Sequence, residues 1–306
     1  MSRHSNTNAN ANASTSANAS TGGESRRFPI DLERGLPALD GATLRAHAGL
    51  LLAVSLMALP LVIAALISFG TRATFTSVSE LSLETAAQNY HDVLFRYDMG
   101  QYMLNSLLMS VIVVIGKLAV SLLAALAIVY YRFPFKNAVF GVVLLTLMLP
   151  VPVRIVPLFQ LAADLGWANS FAALTIPYLA SATTVFLLRQ HFLSIPASLV
   201  ESAKLDGVGP LRFLAFVLIP MSKGMIAGVS VIMFIYSWNQ YLWPLLIVDD
   251  QSMQVAQVGI RLLQGVVESG DIAWPLMMAG SIVTLVPPLA VLIIFRKPLL
   301  ETFGVE

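Results

Sequence analysis

Residues 199–220 read LVESAKLDGVGPLRFLAFVLIP, and apolar stretches bracket them on both sides. This is the only polar segment in the second half of the chain long enough to form a helix. Pro196 can start that helix near Ala197, because a proline at the first helical position gives up no hydrogen bond. Glu201 then falls in the first turns, where an acid suits the helix dipole. Gly207, Gly209 and Pro210 should end it, the glycines by accepting left-handed backbone and the proline by lacking a donor. The spacing predicts a short helix held across a membrane face, with Glu201, Lys204 and Asp206 free to meet another protein. An ordinary amphipathic interfacial helix is the plainer alternative.

Working outward, the chain has 306 residues of which 11% are charged, and its mean hydropathy is +0.77. A soluble domain needs more charge than that to cover its surface, so an integral membrane protein is expected. Its apolar runs are long and continuous, which excludes the ten-residue alternation of an outer-membrane barrel and leaves an all-α class. With no cysteine, disulfides, zinc–cysteine sites and thiol catalysis are excluded. The formal charge of +1 decides nothing by itself.

Six apolar spans of about the ~20 residues a bilayer core requires are expected near 48–69, 103–129, 138–159, 171–189, 224–247 and 273–295. Gln160, Asp164, Gly166 and Asn169 make the turn between the third and fourth. Residues 5–23, almost all Asn, Ala, Ser, Thr and Gly, cannot offset the entropy of ordering. We therefore divide the chain into a disordered tail at 1–45, a six-helix membrane domain at 46–297 with its polar loop at 190–223, and a short tail at 298–306. The first apolar run starts near Ala48 and is too long for a secretory leader.

These spans put Arg3, Arg26, Arg27, Arg34, Arg45, Arg132, Lys136, Arg189, Lys204, Arg212, Lys223, Arg296 and Lys297 on one side of the membrane. The other side holds only Arg72, Arg96 and Arg261. Lysine and arginine collect on the cytoplasmic side, so both termini and the 190–223 loop are expected there. Of the outer connections, 70–102 includes Leu81-Ser82-Leu83-Glu84, Tyr90, Val93, Leu94 and Phe95 and should carry a short amphipathic helix there. The other, 248–272, has Val255, Val258, Leu262 and Leu263 at helical spacing.

Lys117 and Arg154 lie inside spans. A charge at that depth costs at least ~2.5 kcal/mol on insertion scales, so each should face a cavity or a partner. Pro150, Pro152 and Pro157 surround Arg154 and free backbone carbonyls that only protein or a watery path can satisfy. Two cations with no acid in their own spans invite an anionic substrate, since guanidinium fits phosphate or carboxylate and ammonium adds a point charge. Snorkelling by Lys117 and a salt bridge from Arg154 to a partner subunit are the structural alternatives. Trp238, Asn239 and Gln240, near the end of the fifth span, place amides beside aromatic faces and are candidates for the path. An interfacial aromatic belt is the other reading. Pro287-Pro288 should bend the sixth span. No GxxxxGK[ST] phosphate loop, metal-spaced histidines or nucleophile motif is present, so catalysis by the chain alone is not expected.

The run Glu201-Ser202-Ala203, then Gly207, then Val217-Leu218-Ile219-Pro220, resembles the EAA loop of ABC importer permeases. That pattern is EAA, three residues, Gly, nine residues and I-x-L-P; Ser202, Val217 and Ile219 depart from it by small changes. With Trp238-Asn239 and Pro244, the likeness is to the carbohydrate-uptake branch. Tyr131-Arg132-Phe133-Pro134, Leu147 to Val151 with Val153-Arg154-Ile155, Ser181-Ala182-Thr183 and Trp238 to Ile247 look most like the second permeases of sn-glycerol-3-phosphate importers.

The resemblance implies a type I importer architecture in which 190–223 forms a coupling helix docking in a cytoplasmic ATPase. Glu201, Ser202, Ala203, Asp206 and Gly207 would be the contact residues. It also implies a heterodimer with a second permease subunit, two ATPase subunits that use ATP and magnesium, and an extracytoplasmic solute-binding protein. No cofactor of the chain's own and no nucleic acid are expected, and lipid surrounds the spans. The substrate so implied is sn-glycerol-3-phosphate, with glycerophosphodiesters as further candidates. A permease for a neutral sugar or polyol, and a secondary transporter working without an ATPase, remain as alternatives.

Overall fold

In a computed structural model, residues 41–71, 81–265 and 273–302 are described. The chain divides into two compact units, Met1–Ser55 and Leu56–Glu306. The described part of the first, residues 41–55, is wholly helical and begins α1 (Gly41–Ser68). Most of the expected tail, with Arg3, Arg26, Arg27 and Arg34, lies outside the described residues, as does Arg72 in the first outer connection.

In the second unit the elements follow in order. α2 (Leu83–His91) is capped by Ser82, whose hydroxyl accepts from the Glu84 N–H at 3.2 Å. One widened turn (Asp92–Arg96) leads to α3 (Met99–Tyr130). Next come α4 (Lys136–Met148), α5 (Val151–Asp164), α6 (Phe171–Thr175), α7 (Ala182–Ser194), α8 (Ala197–Leu205), α9 (Pro210–Phe213) and α10 (Ile219–Met221). The chain then builds α11 (Lys223–Trp238), α12 (Leu242–Ile247), α13 (Ala256–Leu262), α14 (Trp274–Ile294) and α15 (Arg296–Thr302). No strand occurs among the described residues.

Three helices are long and apolar enough to cross a bilayer alone, at Leu44–Ser68, Met99–Tyr130 and Trp274–Ile294. Three bent pairs bring the total to six if each pair is one span: 103° between α4 and α5, 41° between α6 with its following turn and α7, and 84° between the α9–α10 run and α11. The expected third and fourth spans are therefore not straight rods, and the fifth follows an 84° bend just before its start. Pro150 and Pro152, Pro177, and Ser222 mark the breaks, where a missing N–H or an ended ladder lets the chain turn. Conversely, the expected bend at Pro287-Pro288 does not interrupt α14, which runs through both prolines.

At 32 residues α3 is the longest helix, and all three large core clusters draw on it. Near its start, Met99 and Tyr102 pack with Val93, Leu263 and Leu276. Met109 and Val113, in the middle, pack with Leu174, Trp243 and Ile247. Towards the end, Leu122, Ala125 and Leu126 pack with Leu188, Phe192, Ala203, Phe213 and Leu218. Buried Asn105 donates to the carbonyls of Ser252 and Gln254, both at 2.9 Å, and Ser106 accepts from the Ala256 N–H at 2.8 Å. These bonds tie the 248–256 connection to α3 and cap α13 where its own first N–H groups have no partner.

Candidate functional site

The polar loop is built as one packed unit. α8 starts after Pro196 and ends at Leu205, so Glu201 stands in its second turn, within its first turns. Gly207 is left-handed (φ +68°), and its N–H donates to the Lys204 carbonyl at 3.1 Å while Val208 donates to Ala203 at 2.9 Å. Gly209 is not left-handed: it is extended (φ −68°, ψ 161°) and caps α9. The sequence expectation for Gly207 thus describes the backbone, and that for Gly209 is corrected.

Ala203 turns inward onto Leu188, Phe192, Phe213 and Leu218. The Tyr130 hydroxyl, at the end of α3, donates to the Phe192 carbonyl at 3.0 Å, and its ring meets Phe213 edge-on at 5.4 Å. Ser202 satisfies its hydroxyl on the Ser198 carbonyl at 2.9 Å. Glu201, Lys204, Asp206 and Gly207 are exposed, and Leu205 among them is 88% exposed. α8 thus presents an apolar knob framed by charges, while its Ala203 joins the same core cluster as Leu122, Ala125 and Leu126 of α3.

The second feature is a cavity of about 790 Å³ between α3, α4, α5, α7 and α11. It lies where α4 turns into α5 and where the turn after α6 gives way to α7. Lys117, Arg154, Tyr178, Ser181, Ala182, Thr183 and Tyr236 are among its lining residues, and no aspartate or glutamate is. Lys117 is 3% exposed, and its Nζ sits 4.8 Å from the centre of the Tyr236 ring. Neither Lys117 nor Arg154 pairs with a carboxylate among the described residues. Gly116 lets this wall close up, since a Cβ there would run into the Leu179 side chain.

Of the path candidates, the fold brings Lys117 and Arg154 to this one cavity and leaves Trp238, Asn239 and Gln240 outside its lining. Trp238 is 1% exposed, lies against Phe234 and donates from Nε1 to the Thr284 carbonyl at 3.1 Å. Asn239 closes α11: its amide donates to the Ile235 carbonyl at 2.9 Å and accepts from Gln257 at 3.0 Å. Tyr178, Tyr236, Ser181 and Thr183 are lining residues that sequence reasoning missed as path residues. Only their assembly from separate helices identifies them.

Helices of this length and apolarity, broken near prolines around a largely apolar cavity that holds two cations, define a multi-pass membrane protein. Residues 117–297 match the family described as binding-protein-dependent transport system inner membrane component, and the chain belongs to that family. Among its relatives is the sn-glycerol-3-phosphate transport system permease protein UgpE of Salmonella typhi, 38% identical over 84% of this chain and 94% of the relative. The protein of the same name from Yersinia enterocolitica is 46% identical over 65% of this chain and 70% of its own. That from Rhizobium meliloti is 40% identical over 71% and 80%.

The fold is shared with a bacterial ABC transporter involved in import of the acidic polysaccharide alginate, with TM-score 0.73 and 22% identity over 86% of this chain and 98% of that one. A bacterial alginate ABC transporter in complex with an alginate pentasaccharide-bound periplasmic protein aligns at TM-score 0.57 and 14% identity, over 85% and 95%.

Proposed function

We propose that the chain is one of two permease subunits of an ATP-driven importer of sn-glycerol-3-phosphate, forming half of the path and taking no catalytic part itself. The observation that carries the substrate is the cavity that holds Lys117 and Arg154 with no carboxylate in its lining. Two cations with no carboxylate in a mostly apolar wall attract an anion, the buried Lys117 most strongly, and a phosphate ester fits both the guanidinium fork and the ammonium point charge. The names of the relatives supply the glycerol part of the reading.

In this reading α8 docks on one of two cytoplasmic ATPase subunits through Glu201, Leu205 and Asp206. Those subunits hold the ATP and magnesium, and this chain binds no cofactor. A second permease completes the path, and a solute-binding protein delivers substrate from outside. Both termini and the α8 loop lie in the cytoplasm in this reading, which the lysine and arginine distribution supports.

The test is ATP hydrolysis by the reconstituted assembly with its own binding protein. Stimulation by sn-glycerol-3-phosphate but not by maltose or glycerol is expected. Stimulation by a neutral sugar alone would keep the importer and return Lys117 and Arg154 to structural duty.

A further inference from the structure

We propose that the amino end of α7, together with Lys117, is the cradle for a phosphomonoester group, and that Arg154 closes it from α5. The proposal deepens the phosphate-ester reading above and rests on it. Ser181 caps α7, accepting from the Thr184 N–H at 3.3 Å and from the Thr184 hydroxyl at 2.9 Å. That cap leaves the N–H groups of Ala182 and Thr183, which make no hydrogen bond among the described residues. Both residues line the cavity. Two free N–H groups at the positive end of a 13-residue helix are suited to hold an oxyanion without side-chain rearrangement.

The independent sign of a ligand is Lys117. It lines the same cavity, is 97% withdrawn from solvent by its 3% exposure, and has neither a carboxylate nor a hydrogen-bond acceptor among the described residues. Its ammonium rests instead over the Tyr236 ring at 4.8 Å. A ring quadrupole holds a cation without neutralising it, so the charge stays available to an arriving anion. Helix end, ammonium and guanidinium thus line the same cavity, and a phosphate brings all three the negative charge that a neutral polyol lacks.

The direct probe is Ala182→Pro. Proline at the first helical position keeps the helix, and Ser181 already has the extended backbone (φ −141°, ψ 108°) that a residue before proline prefers. The substitution removes one N–H and little else. Lys117→Met is the second probe, removing the charge at similar volume.

In vesicles holding the full assembly, both variants should raise KM for sn-glycerol-3-phosphate uptake about tenfold or more, the size expected for a lost hydrogen bond to a charged group. If Ala182→Pro fails to assemble, Lys117→Met decides. Uptake by both variants with KM within about twofold of the parent overturns the cradle while leaving the substrate reading intact. A phospholipid headgroup offers the same phosphate chemistry. Loss of co-purifying phospholipid by native mass spectrometry, with KM unmoved, would assign the site to lipid and overturn the proposal. Absence of uptake by the parent assembly overturns the substrate reading and the cradle with it.

Discussion

The Trp238 indole ends on the Thr284 carbonyl at 3.1 Å, and the reason lies four residues further along α14. Pro288 has no N–H to return to Thr284, so that carbonyl needs a donor from elsewhere. The same arrangement recurs at Trp243, whose Nε1 donates at 2.9 Å to the Ala173 carbonyl, the one that Pro177 cannot serve. Each tryptophan is buried to 1% exposure and supplies the hydrogen bond a proline withholds. This explains why Trp238, read from the sequence as a path residue, sits in the core. Its partner is 46 positions away, and nothing local announces it.

Trp238→Phe should cost about 1–3 kcal/mol by stranding a buried carbonyl, seen as a lowered thermal midpoint of the purified assembly. Pro288→Ala returns an N–H to Thr284 and should shrink that cost in the double variant. Equal losses from Trp238→Phe with and without Pro288→Ala would show that packing alone matters there.

At the scale of elements, the 190–223 loop was the most legible part of the chain, because its signals are local. Pro196 and Gly207 bound α8, and both act within one turn of where they stand. The two glycines after it looked alike in sequence but differ in backbone sign, since φ at Gly209 is set by its role as cap of α9. Neither would place a Cβ near another atom, so any difference between them comes from the backbone alone. Gly207→Ala must hold a left-handed alanine, at roughly 1–2 kcal/mol, whereas Gly209→Ala is nearly free. In the reconstituted assembly, Gly207→Ala should lower substrate-stimulated ATP hydrolysis and Gly209→Ala should leave it unchanged. A companion change, Glu201→Ala, should reduce the same stimulation by removing an exposed charge from the docking face; unaltered transport and hydrolysis would sink the coupling role.

For the whole molecule, composition and long apolar runs were enough for an all-helical membrane class and for the spans around α1, α3 and α14. The prolines of the third span announced a break there, but not its 103°, and the 84° bend at Ser222 was not legible, because hydropathy averages over a window while a bend depends on which hydrogen bonds are missing at one residue. The cavity was half legible: buried charge is conspicuous in sequence, but the α7 end and the two tyrosines join Lys117 only through the packing of α3 against α7 and α11.

Orientation also belongs to this scale, since it sums charge over every loop. The chain contains no cysteine, so single cysteines can report it without background. Asn137 is exposed just after the Arg132 and Lys136 loop, and Gln251 is exposed in the connection between α12 and α13. With both termini cytoplasmic, Gln251→Cys should react with a membrane-impermeant maleimide in intact spheroplasts, and Asn137→Cys only after the membrane is permeabilised. The opposite pattern would turn α8 outward, away from ATP. It would remove the coupling role from Glu201 and Gly207 together, because no cytoplasmic ATPase could then reach them.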